Sequence, residues 1–146
     1  MASQKNLIKE AIVADLQKLV PGTLASVVQR DLNRDPFAAD YDGFPVAIVG
    51  LASTKSDYET NRENLRTYIF PVLVIQRLEN TSAPTDIEDL EEAVLNIIDN
   101  DPTLGGTANG AVQPAITPLE PVSTGDKSYV GFVVELQAKA LVELTF

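Results

Sequence analysis

Five carboxylates fall within seven residues at Asp86, Glu88, Asp89, Glu91 and Glu92, and carboxylate oxygens are the ligands that hard divalent cations prefer. The same acids suit a helix start, where negative charge complements the helix dipole. Thr85-x-x-Glu88 has the form of a capping box, in which hydroxyl and carboxylate each satisfy a free backbone N–H. The cap accounts for Glu88, so the ordinary helix start is the stronger reading. Asp99, Asn100 and Asp101 form a second oxygen-rich group. A calcium loop needs ligands at fixed alternating positions, a central glycine and a closing glutamate, and Pro102 follows instead. Gly105-Gly106 lacks the spacing and the Lys-Ser/Thr of a phosphate loop. It also follows a helical stretch, and it reads as a tight turn that needs positive φ.

Tyr58, Arg62, Arg66 and Tyr68 interleave basic and aromatic side chains, a mixture that can stack on single-stranded nucleic acid. Glu59 and Glu63 sit among them, which favours a protruding polar hairpin that contacts another protein. The chain has no histidine and no cysteine. No Ser/His/Asp or Cys/His set can form, and the commonest general base and transition-metal ligand are missing. Nothing marks a Ser/Lys pair. No catalytic residue, metal site or cofactor is expected.

These residues must be carried by a chain of 146 residues with 21 acidic and 11 basic side chains, a net charge of −10. That length suits a single domain, which can bury about 70% of its unfolded surface without a disulfide or metal. The charge argues against binding phosphate backbones or anionic membranes. The absence of cysteine fits a reducing compartment. No apolar run reaches the roughly 18 residues of a membrane helix. Lys9, Glu10 and Asp15 interrupt the first apolar stretch, so no signal peptide is expected there.

Residues 3–20 predict an amphipathic helix, with Ile8, Ile12, Leu16 and Leu19 on one stripe, joined by Leu7, Ala11 and Val20. Lys5, Lys9, Glu10, Asp15, Gln17 and Lys18 are assigned to its polar side, and Pro21-Gly22 ends it. Residues 24–30 read as a short strand, 31–43 as a loop and 44–51 as a buried strand. Residues 52–61 read as the tip of a hairpin. Residues 65–78 form the most apolar strand, where Pro71 requires an edge position, a bulge or a break. A second helix starts at Thr85, buries Ile87, Leu90, Val94, Ile97 and Ile98, and stops at Asp101-Pro102. Residues 104–110 are a glycine-rich loop, and 112–122, with Pro114, Pro118 and Pro121, an irregular or edge strand. From Val130 to Phe146 every even position is apolar, the alternation of a half-buried strand. One strand of that length would span more than about 50 Å, against a radius of gyration of about 15 Å for a compact domain. It must bend, break or reach beyond its own domain to a neighbour. The expected class is α+β: a mixed or mainly antiparallel sheet packed by two amphipathic helices, with a protruding long hairpin.

The order helix, strands, long hairpin, helix, strands resembles the tail terminator (tail-completion) proteins of tailed bacteriophages. The matching features are the helix over 6–20, the strand Arg66-Thr-Tyr-Ile-Phe-Pro-Val-Leu-Val-Ile75, the helix over 86–100 running into Asp101-Pro-Thr-Leu-Gly-Gly106, and the long closing strand. The resemblance covers nearly the whole chain in its order of elements. It implies a virion protein of the tail or neck, assembled in the host cytoplasm, which forms a six-membered ring on the last disc of the tail tube. Such a ring stops tube polymerisation and presents a surface to the neck or head-completion proteins; in contractile tails it also meets the sheath protein. The action is complementary binding without turnover. A closed ring needs a heterologous interface. The hairpin with Tyr58, Glu59, Arg62, Glu63 and Arg66, the Gly105-Gly106 turn, and Glu135 and Lys139 on the long strand are candidate subunit or tube contacts. An acidic chain can line a DNA passage without binding DNA specifically.

Other readings make different demands. A neck or head-completion connector is a close rival within phage structure, whereas a tail-tube subunit would carry less helix. A small-ligand regulatory domain needs a concave pocket with convergent polar groups. An enzyme working with carboxylates alone needs an acid pair on separate elements facing one cleft, whereas the visible acids crowd one helix start.

Overall fold

The computed structural model describes residues 4–20, 23–30, 45–58, 63–77, 85–108, 110–124 and 127–143. Along the chain these form α1 (Gln4–Gln17), β1 (Ser26–Gln29), β2 (Val46–Val49), β3 (Ser53–Tyr58), β4 (Glu63–Arg77), α2 (Thr85–Asp99), β5 (Gln113–Pro118), β6 (Val122–Thr124) and β7 (Lys127–Glu143). The fold is α+β. Its sheet runs β1-β2-β4-β7-β5, with β3 also against β4 and β6 also against β7. Only β1 and β2 pair in parallel; every other pairing is antiparallel.

The centre of the sheet is the β4–β7 ladder, continuous from Glu63↔Glu143 to Arg77↔Tyr129. β7 neither breaks nor needs a neighbouring chain for its pairing. Its even positions from Phe132 to Ala140 are buried, while Glu135, Lys139 and Leu141 are exposed. Fifteen residues at about 3.3 Å each make a ribbon near 50 Å long, and the shorter strands lie along its two edges.

Pro71 sits inside this ladder, opposite Glu135, and a bulge accommodates it. From Val49↔Val72 to Ser53↔Ile69 the outer chain advances four residues while β4 advances three. One extra residue therefore lies in the link at 50–52. The Pro71 carbonyl accepts the Gly50 N–H at 2.8 Å. N–H and C=O of one strand residue leave on the same side, so the donor that proline lacks would have faced the bulge and not β7. The other edge has a similar offset. From Pro118↔Phe132 to Val122↔Tyr129 the outer chain again advances four residues against three, and that link carries Pro121. β5, with Pro114 and Pro118, takes the edge position its prolines call for.

The helices cover one face. Ile8, Ile12 and Leu16 of α1 and Leu90, Val94 and Ile98 of α2 pack with Phe70, Val72, Phe132 and Val134 of the central strands. Phe70 and Phe132 are fully buried, each contributing about 1.5–3 kcal/mol by removal from water. The opposite face holds a second apolar cluster of Val46, Ile48, Leu73, Ile75 and Tyr129, with Val28, Leu119 and Val133 against it. β2 is thus buried on both faces, which explains its unbroken apolar run.

Two assignments on α1 need correction. Leu7 is 39% exposed, and Asp15, assigned to the polar side, is 3% exposed. Asp15 lies seven residues after Ile8 and three after Ile12, which at 3.6 residues per turn is a core position. α1 also ends at Gln17, with 18–20 in a turn. The segment expected as a hairpin tip is largely strand, since β3 occupies 53–58.

Candidate functional site

At the β3–β4 end of the sheet the outer strand is bare. There Ser53, Thr54, Lys55 and Ser56 are exposed in succession. A strand resting on a core hides every second side chain, so this run has no layer packed on either side. Its partners on β4 run from Ile69 to Asn64, and β7 continues alongside to Glu143. β3 thus projects from the ribbon, while Tyr68, Ala138 and Ala140 alongside it stay buried.

Several of the candidate contacts gather here. Tyr58 closes β3 opposite Asn64. Glu63 opens β4 opposite Glu143, and Arg66 pairs with both Ser56 and Ala140. Glu59 and Arg62 lie outside the described residues. Lys139, exposed on β7, faces Thr67, which in turn faces Lys55. This row lies on the side of the sheet away from the helices. Two steps further in, Glu135 lies opposite Pro71 on β4 and Ala115 on β5. With Gln113 opposite Gln137, these positions make a flat polar surface several strands wide. Leu141, 43% exposed, adds apolar area and is paired with Leu65; Leu51, 59% exposed, lies in the bulged link.

The other groups separate from that surface. Tyr68 is no stacking platform: it is 3% exposed, and its ring packs against Phe70 at 6.4 Å in the core under the helices. Gly105 and Gly106 belong to the helix layer. They follow α2 with φ of 68° and 85°, after Leu104 with φ of 51°. Leu104 is fully buried and anchors the turn in the core. On α2, Glu88, Asp89 and Glu92 are exposed. Burial, followed by the charge of Glu88, raises the Glu91 carboxyl above its ordinary value. Among the described residues no three acidic side chains converge on a point where a metal could sit, and no helix is long and apolar enough to cross a membrane.

One polar group escaped the sequence reading. Asp15 Oδ1 lies 3.2 Å from Lys18 Nζ, and the Asp15 carboxyl is within hydrogen-bonding reach of Asp101. Asp101 accepts the Gly105 N–H at 2.8 Å. The signal available in sequence was positional: an aspartate in a core slot of a helix needs a partner.

No protein-family model matches the chain, and no curated protein matches it. It is similar to a chain of a solved structure described as "Virion of native gene transfer agent (GTA) particle", with 12% identity over 93% of this chain and 94% of that one, at a TM-score of 0.41. A likeness of that extent assigns no function.

Proposed function

We propose that this chain is a structural assembly protein of a tailed bacteriophage, a tail terminator that forms a ring on the end of the tail tube. The observation that carries this reading is β3, whose successive side chains from Ser53 to Ser56 are exposed at the edge of the long β4–β7 ribbon. A strand exposed on both faces adds little to the core beside it and offers area for contact with other chains. The element order that resembles the terminator family belongs to the same picture.

In this reading the projection, with Tyr58, Glu59, Arg62, Glu63, Arg66 and Lys139, meets the next subunit or the tube, and Glu135 extends that surface. Gly105 and Gly106 are a second contact, from the helix layer. Six copies close a ring, the tail tube protein and the neck proteins bind its two sides, and the sheath protein joins them in a contractile tail. The net charge of −10 keeps a DNA passage free of specific binding. No turnover is involved.

The test is the native mass of the purified protein over a range of concentrations, with negative-stain images of the same sample and of the protein mixed with tail tubes. Uniform rings, or caps on tube ends, are expected. A strict monomer that ignores tube ends would sink the reading. Binding to isolated neck complexes in place of tubes would make it a connector.

A further inference from the structure

Asp15 is the one charged residue buried among the described residues, and its Oδ2 has no donor. Oδ1 is served by Lys18, whose side chain is 61% exposed. The neighbouring carboxyl is that of Asp101, already tied to the Gly105 N–H. Two ionised carboxylates cannot hydrogen-bond each other, and their charges repel. An unsatisfied buried oxygen is costly as well. One proton between them resolves both problems.

We propose that Asp15 and Asp101 form a buried proton site. The proton is taken from solvent onto Asp15 Oδ2, which then donates to Asp101, and the chain Lys18–Asp15–Asp101–Gly105 clasps the end of α1 to the turn after α2. The inference stands apart from the ring reading.

The electrostatics agree. Burial first, and then Asp101, hold Asp15 above the usual carboxylate range, against the pull of Lys18. The Gly105 N–H first, and then the contact with Asp15, hold Asp101 below it. β1 and β2, which pack against α1, carry no titratable side chain; α2, which also packs against it, carries Asp86, Glu88, Asp89, Glu91, Glu92 and Asp99, and the charges that act on Asp15 are Asp101 and Lys18. The sign follows. Asp15, raised on folding, contributes stability that is complete below its unfolded pKa and lost as pH rises through its folded value. Asp101, lowered, contributes stability that is lost as pH falls through its folded value. The clasp is whole between the two and opens as pH rises through the folded value of Asp15.

Carboxyl-carbon NMR titration of the ¹³C-labelled full chain, in EDTA, tests this directly. Asp15 should titrate above the ordinary aspartate range, and Asp101→Asn, whose amide donates to an ionised Asp15, should bring it down. The thermal midpoint should fall by about 2–4 °C as pH rises through that titration. Asp15→Asn, which places an amide N–H where the proton sits, should abolish the fall. Glu91→Gln, removing the other raised acid, should leave it. Asp15 titrating within or below the ordinary range would overturn the proposal. So would calcium or magnesium raising the midpoint of the unmodified chain but not of Asp15→Asn, since the site would then hold a cation.

Discussion

Gly131 on β7 lies directly against the carbonyl of Val74 on β4, so close that a Cβ at residue 131 would overlap the Val74 oxygen. The contact involves backbone on the β4 side, so no side chain can swing away. Gly131→Ala should therefore destabilise the chain by about 1–3 kcal/mol, as overpacking does, and Gly131→Val by more. Urea unfolding followed by circular dichroism measures both, and a neutral Gly131→Ala would mean that the two strands part more easily than their ladder indicates.

Gly105 and Gly106 make the opposite case. A Cβ at either meets nothing within 4 Å, yet both have positive φ. Alanine there should cost about 1–2 kcal/mol through backbone conformation alone, and asparagine less, because it tolerates that region. The Ala–Asn difference in melting temperature is the readout.

Pro71 should be replaceable at little cost. Its missing donor faces the bulge at Gly50, so Pro71→Ala restores an N–H where pairing is already interrupted. The expected loss is about 0.4–1 kcal/mol, from the greater freedom of the unfolded chain. Val72→Pro, one residue on, would remove a donor directed to β7 and should be far more damaging in the same assay.

Exchanging the charges of the flat surface separates folding from assembly. Glu135 and Lys139 are exposed, so Glu135→Lys with Lys139→Glu should change stability by no more than about 0.5 kcal/mol. Ring formation or tube-end binding should fall sharply if this surface is an interface. Unchanged assembly would move the contact elsewhere.

The strand pattern of β7, the buried stripe of α2 and the turn at Gly105-Gly106 were legible because each depends on local spacing. Pro71 was legible only as a set of options. Whether it marks an edge, a bulge or a break depends on the register of another strand, which the residues around it do not encode. Asp15 was misread because residue type was given more weight than position: a carboxylate looks solvent-bound, while Ile8, Ile12 and Leu16 leave residue 15 facing inward. The candidate contacts were only partly brought together. Tyr58, Glu63, Arg66 and Lys139 meet at one end of the ribbon through pairings of distant segments, whereas Gly105 and Gly106 are held with the helices.

The central ladder has a consequence for how the chain is made. β4 and β7 are joined register by register between residues 52 positions apart at Arg77↔Tyr129 and 80 apart at Glu63↔Glu143. Such pairing has high contact order and is slow to form. During synthesis β4 emerges well before β7 and must wait with one edge unpaired, so the sheet cannot be completed until β7 has left the ribosome. Co-translational folding is thereby limited to local pieces such as the hairpin of β3 and β4, and the interval before closure is when the chain is most prone to pair with the wrong strand.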